Sequence, residues 1–257
     1  MTPEVEQFIC RGDNFGVLLH DPASGVTASI DAPDEAAIRA ALQRRGWKLT
    51  HVLTTHHHAD HTEGNAALKA AYGATIIGPA AEAEKVPGID RPVREGDLIE
   101  IGALRAQVIE TPGHTLGHVA YFLPDAGIAF TGDTLFSLGC GRVFEGTPAT
   151  MWESLKKLRA LPRETVVYCG HEYTEANARF ALTIEPNNLD LAARAEEVRG
   201  LRAAGKPTLP TTIGAEITAN PFLRADRPRL MTAIGMRDAD PAEVFATIRS
   251  RKDSFRA

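Results

Sequence analysis

Cysteine is scarce: Cys10, Cys140 and Cys169 are the only three in 257 residues. An odd number at wide spacing excludes a disulfide framework and reads as three reduced, buried thiols of a cytoplasmic protein. No run of roughly 18 apolar residues occurs, so no membrane-spanning helix is expected. The first residues, Met1-Thr-Pro-Glu-Val-Glu-Gln-Phe-Ile9, hold no cationic stretch followed by an apolar one, so no signal or transit peptide is evident. Basic charge is not in excess either. The 28 Lys and Arg are outnumbered by 33 Asp and Glu, for a net charge of -5. Nucleic acid and membrane surfaces, which call for an extended basic face, are therefore not expected partners. A few local cations still suffice for a small anionic ligand. Internal repeats and low-complexity stretches are also absent. What the chain does have is 44% hydrophobic residues, ample for a packed interior. At this length one large domain with a smaller attachment is the natural expectation.

Two apolar runs, Phe15 to His20 and Val26 to Ile30, flank the turn Asp21-Pro-Ala-Ser-Gly25 and predict a β-hairpin. Pro33 opens a helix with Ala37, Ile38, Ala41 and Leu42 at helical spacing, and Gly46 is placed to end it. His51 to Thr54 follows as a strand. Residues 63 to 72 read as a helix stopping at Gly73, and Thr75 to Gly78 as a strand. Short strands are expected at 97–101, 104–110, 118–123 and 127–130, then a helix from Thr147-Pro148 to Leu161 and a strand at 165–169. Beyond about residue 173 strand signals fade and helices are expected at 175–183, 190–204 and 240–251. The organisation expected is a sheet-containing domain, 1–172, and a helical one, 173–257.

The run Thr55-His56-His57-His58-Ala59-Asp60-His61 places His56, His58, Asp60 and His61 at i, i+2, i+4 and i+5, directly after a strand. Taken alone, a triple histidine is as readily a solvated polar loop. Three more segments shift that balance: Thr111-Pro-Gly-His114, Thr131-Gly-Asp133-Thr and Cys169-Gly-His171-Glu each set a ligand-type residue at a strand end beside a glycine. Five His and two Asp are too many for one tetrahedral zinc, yet suit two ions if a carboxylate bridges and solvent completes the coordination. Asp133, alone between the two later histidines, is the best bridge. With no cysteine in the set, a closed structural zinc site is disfavoured. His57 and His118 read as hydrogen-bonding neighbours of the ligands.

These four segments in this order resemble the metallo-β-lactamase superfamily. Within it, Thr111-Pro-Gly-His-Thr-Leu-Gly-His118, Gly139-Cys-Gly-Arg-Val-Phe-Glu-Gly-Thr147, Cys169-Gly-His-Glu-Tyr-Thr174 and the tail Arg249-Ser-Arg-Lys-Asp-Ser-Phe255 are similar to the glyoxalase II, or hydroxyacylglutathione hydrolase, family. The resemblance implies an α/β fold, a four-layer αβ/βα sandwich, with a C-terminal helical domain that binds glutathione. It implies that His56, His58 and His114 hold a first metal, Asp60, His61 and His171 a second, and that Asp133 bridges them. The ions would be divalent, Zn2+ first, with iron or manganese acceptable to the same donors.

The resemblance also points to Arg142, Phe144, Tyr173, Arg249 and Lys252 as the glutathione site. Glutathione offers two carboxylates, and Arg142 with the i, i+3 pair Arg249 and Lys252 can meet them by charge-assisted hydrogen bonds. Position 144 is often Tyr in the family and 142 often Lys; Phe144 and Arg142 stand there in this chain. The implied reaction is hydrolysis of S-(D)-lactoylglutathione to D-lactate and glutathione, the second step of methylglyoxal detoxification. In it a hydroxide held between the ions attacks, with Asp60 and Asp133 as the catalytic carboxylates. A thiolate leaves with little protonation, which agrees with the lack of an obvious general acid. The competing expectation on the same fold is a glutathione persulfide dioxygenase with one Fe(II). A cytoplasmic monomer acting on a small molecule is expected.

Overall fold

The computed structural model describes residues 2–256, which form two compact units: 2–110 with Thr115–Gly132, and Thr111–His114 with 133–256.

In the first unit, β1 (Glu4–Cys10), β2 (Asn14–Asp21) and β3 (Val26–Ile30) run antiparallel in succession, Leu18, Leu19 and Ala28 being fully buried. The chain then crosses through α1 (Glu35–Arg45) into β4 (His51–Leu53), parallel to β3. The helix begins two residues after Pro33 because Asp34 is its cap, its carboxylate accepting the Ala37 N–H at 3.0 Å. It ends as expected, with Gly46 at φ 67°. After α2 (Ala59–Thr62) and α3 (Asn65–Tyr72), β5 (Thr75–Pro79) and β6 (Arg91–Val93) extend the parallel half, giving the order β1-β2-β3-β4-β5-β6.

Leu18, Ile38, Leu42, Leu49, Val52, Leu68 and Ile76 pack in one cluster, so α1 and α3 cover one face of this sheet. Each such side chain contributes roughly 1.5–3 kcal/mol by leaving water. At its margin Trp47 stacks on His20 with centroids 4.5 Å apart, and Arg45 lies 4.4 Å over the same ring.

β7 (Leu98–Ile101), β8 (Leu104–Glu110), β9 (Val119–Leu123) and β10 (Ile128–Phe130) form an antiparallel run in the order β10-β9-β8-β7. The fully buried Tyr121 on β9 donates its hydroxyl to the Thr54 carbonyl at 2.6 Å, tying this run to the end of β4. That bond matters because the histidine loop begins at the next residue.

In the second unit, β11 (Leu135–Phe136) and β12 (Gly139–Cys140) make a small hairpin. α4 (Pro148–Arg159) follows with its expected cap, Thr147 accepting the Thr150 N–H at 3.1 Å. β13 (Val166–Tyr168), α5 (Thr174–Ile184) and α6 (Leu189–Ala203) come next, followed by β14 (Thr211–Thr212), antiparallel to β13. α7 (Ile213–Ala219), α8 (Pro228–Ala233) and α9 (Pro241–Ser254) complete the chain.

Leu138, Ala178, Ala181, Leu191, Ala195 and Ala219 form one core of this unit. Trp152 belongs to another, stacked on Phe245 at 6.3 Å with Arg159 5.2 Å from its ring. Two bidentate ion pairs brace the helices: Arg159 donates to Asp226 at 2.8 and 2.7 Å, and Arg224 to Glu185 at 2.8 and 3.0 Å. Among the described residues no helix is long and apolar enough to cross a membrane.

Candidate metal centre and adjoining cations

The histidine loop is shaped by a residue that its motif does not contain. Asp31, just past β3 with φ 57°, accepts the Thr55 N–H at 2.7 Å, the Thr55 hydroxyl at 2.9 Å and His61 Nδ1 at 2.8 Å. An aspartate tolerates that left-handed backbone better than most side chains. Because β3 and β4 are parallel neighbours, a carboxylate past the end of one lies beside the loop leaving the other.

These hydrogen bonds fix the tautomers of His61 and His56. A carboxylate only accepts, so His61 carries its proton on Nδ1 and its lone pair on Nε2, 3.7 Å from Asp60 Oδ2. Thr55, having donated to Asp31, accepts from His56 Nδ1 at 3.0 Å, which leaves the His56 lone pair on Nε2, 3.1 Å from His58 Nδ1. α2 holds Asp60 and His61 in one turn, and Asn14 donates to the Asp60 carbonyl at 3.1 Å and carboxylate at 3.3 Å.

His57 faces Glu82, with its N–H and its Nδ1 both 2.9 Å from Glu82 Oε2, and His118 is buried against the His56 ring at 4.9 Å. Glu82, 3% exposed, also takes the Gly117 N–H at 2.7 Å. Gly132 at φ 47° packs so closely that a Cβ would stand 2.7 Å from His118 Nε2 and Thr55 Oγ1.

The second unit gathers His114, Asp133 and His171. The Arg142 carbonyl can only accept, so His114 donates from Nδ1 at 2.9 Å and keeps its lone pair on Nε2, 3.5 Å from Asp133 Oδ2. His171 Nε2 lies 3.4 Å from the same oxygen. The chain passes so near itself that a Cβ on Gly141 would collide with the Asp133 carbonyl oxygen. Tyr173 stacks on His171 with centroids 4.7 Å apart and planes 3° off parallel, and Phe136 meets both rings edge-on.

Lone-pair nitrogens pointed at carboxylate oxygens repel unless a cation lies among them. The donors thus fit a hard or borderline divalent ion, His56, His58, Asp60 and His61 in the first unit and His114, Asp133 and His171 in the second.

Beside His114 and Asp133 stands a group of cations. Arg142 is 62% exposed at its side chain, and its Nε is 3.7 Å from Asp253 Oδ1. Arg249 donates from Nη2 to that same oxygen at 3.0 Å and from Nη1 to the Cys140 carbonyl at 2.8 Å. Only 6% of Arg249 is exposed, so it serves the protein's own oxygens first. Lys252 donates to the Ala176 carbonyl at 3.2 Å and lies over the rings of Phe180 and Phe255. Burial, then the nearby Arg249 and Arg142, pull its pKa down to about 8. Phe144, 61% exposed, stands 5.2 Å from the His114 ring, and Tyr173 is 37% exposed.

The metallo-β-lactamase superfamily model matches residues 12–171, and that for the hydroxyacylglutathione hydrolase C-terminus matches 172–255. The chain is 63% identical over 252 residues to the hydroxyacylglutathione hydrolase of Brucella anthropi, covering 98% of this chain and 97% of that one. It is 59% identical over 255 residues to that of Chelativorans sp. (strain BNC1), covering 99% and 100%. Among solved structures, ETHE1 from Myxococcus xanthus matches with a TM-score of 0.67 at 27% identity, covering 98% and 100%. TTHA1623 in a di-iron-bound form matches at 0.63 and 26%, covering 87% and 100%. The expected fold is therefore the observed one, a metallo-β-lactamase fold of mixed α/β sheets with a helical C-terminal region, and the chain belongs to the hydroxyacylglutathione hydrolase family of that superfamily.

Proposed function

We propose that this chain hydrolyses S-(D)-lactoylglutathione to D-lactate and glutathione. The observation that carries the reading is the set of ring nitrogens and carboxylate oxygens that face one another, with the lone pairs of His61 and His114 turned to Asp60 and Asp133, in a chain of the hydroxyacylglutathione hydrolase family. His56, His58 and His114 would hold one ion, Asp60, His61 and His171 the other, and Asp133 both. Zn2+ is the first choice, with iron and manganese suited to the same donors. When bound, such ions turn water into a nucleophile near neutral pH and stabilise the oxyanion that develops on the substrate carbonyl.

The protein's own residues supply the rest. Asp31 and the Arg142 carbonyl hold the imidazoles in the ligating tautomer. Asp60, 38% exposed at its side chain, is the carboxylate available to orient the attacking water. A thiolate leaving group, with a thiol pKa of about 8.5, departs without a general acid. Arg142, Lys252 and Arg249 would bind the peptide carboxylates, with Phe144 and Tyr173 as apolar walls. Residues 1–172 would thus carry the metal chemistry and 173–257 most of the glutathione recognition. Buried free thiols support a cytoplasmic setting, and the net charge of -5 favours a small-molecule partner over a polyanion; we take the acting species to be a monomer.

The test is to follow loss of the thioester of S-(D)-lactoylglutathione while measuring metal on the same sample. Hydrolysis that disappears on chelation and returns with added metal is expected. Metal-replete protein without hydrolysis overturns the reading, and one iron per chain with oxygen uptake selects the persulfide dioxygenase instead.

A further inference from the structure

The β11–β12 hairpin lies between two groups that address His114: Asp133 before it, facing Nε2, and Arg142 after it, whose carbonyl takes the Nδ1 proton. Wherever the hairpin stands, those two groups stand. Its strands are only two residues each, and Leu138 at its tip has φ 56°, an unfavourable backbone conformation for a leucine. It is not a structure that supports itself.

Its support comes from α7 and the residue that ends that helix. Glu216 is fully buried. One of its oxygens accepts the Ser137 hydroxyl at 3.0 Å and the Thr211 hydroxyl at 2.8 Å. The other accepts the Leu138 N–H at 2.7 Å and the Asn220 amide at 3.0 Å. Asn220 in turn donates to the carbonyls of Phe136 at 3.1 Å and Gly139 at 2.9 Å, one on each strand. A buried carboxylate raised in pKa by desolvation, as this one is, requires such donors to stay ionised. Ser137 and Leu138 are thereby pinned at the position where the backbone is least favourable.

We infer that Glu216 is a positioning residue of the metal centre, setting through the hairpin where the Asp133 carboxylate and the His114 ring stand. The inference rests on the metal-binding reading of those two residues.

Cobalt(II) binding tests it without relying on turnover. Glu216→Leu leaves the hairpin donors without an acceptor. Its cobalt complex is expected to show an altered visible spectrum and about 10-fold weaker resistance to a competing chelator, the size seen when outer partners of metal ligands are removed. Glu216→Gln keeps an acceptor for Leu138 and an amide that the two hydroxyls can accept from, so it should recover the wild-type spectrum. Ser137→Ala, a milder cut in the same linkage, should shift the spectrum in the direction of Glu216→Leu and serves where that variant does not fold. Ile38→Ala, which opens the core of the first unit, a cluster without any residue of the hairpin or of α7, should lower stability and leave the cobalt spectrum unchanged. A wild-type spectrum and chelator resistance in Glu216→Leu, or in Ser137→Ala where the former is insoluble, overturns the inference alone. Wild-type protein that takes up no cobalt overturns the metal reading with it.

Discussion

Asp31 illustrates how much one residue can govern: its two oxygens orient Thr55 and His61 directly and His56 through the Thr55 hydroxyl. Asp133 takes the opposite side of the rings in the second unit, its Oδ2 facing Nε2 of both His114 and His171. Asp133→Ala is expected to lose metal and activity together; near-normal turnover would rule out its shared role. Lys252 makes a pH-dependent prediction. Its pKa is lowered from 10.5 to about 8, so the folded chain gives up this proton earlier than the unfolded chain. The cost of a buried charged amine is relieved as pH rises through that window, so this group's contribution to stability improves between about 8 and 10.5. Its attraction for a carboxylate is lost as pH rises through about 8. The KM for the glutathione thioester should rise from pH 7 to 9 in the wild type, and the rise should vanish in Lys252→Arg, whose charge persists.

At the scale of elements, α9 carries both Arg249 and Lys252, and its start is fixed by Asp240, whose carboxylate accepts the Ala242 N–H at 2.8 Å. Asp240→Ala should cost about 1 kcal/mol, a fall in Tm of roughly 2–4 °C by calorimetry for a chain of this size. That helix was readable in the sequence because Asp240, Pro241 and Glu243 stand as cap, first-turn proline and capping-box acid. So were α1, α4 and the four strands β7 to β10. What was not readable follows a physical pattern. β11, β12 and β14 are two residues each, too short to display any period, and the β11–β12 hairpin is held by a side chain far away in the chain, Glu216. β1 contains Glu4, Glu6 and Gln7 among half-buried positions, so its alternation is weak.

The site shows the same division. Histidines and aspartates in tight glycine-flanked clusters announce themselves, whereas Asp31, Glu82 and Glu216 are lone acids whose roles depend on which strand ends or loops the fold brings near them. Position after a strand was the one clue to Asp31.

For the whole molecule, metal should act as a stabilising ligand. With free ion at about 100 times its dissociation constant, a gain of about 2.7 kcal/mol is expected over metal-free protein. Thermal unfolding with and without chelator measures it, and an unchanged Tm in protein that demonstrably binds metal would contradict it.

The two tryptophans have a consequence of their own. Trp47 lies in the first unit, between an imidazole and a guanidinium, and Trp152 in the second, against Phe245. The chain carries no third, so each unit holds a single indole in a different surrounding. Trp152→Phe leaves fluorescence from the first unit alone, and Trp47→Phe from the second alone. The order in which the two halves of the chain lose their structure is thereby open to optical measurement, one emission curve for each.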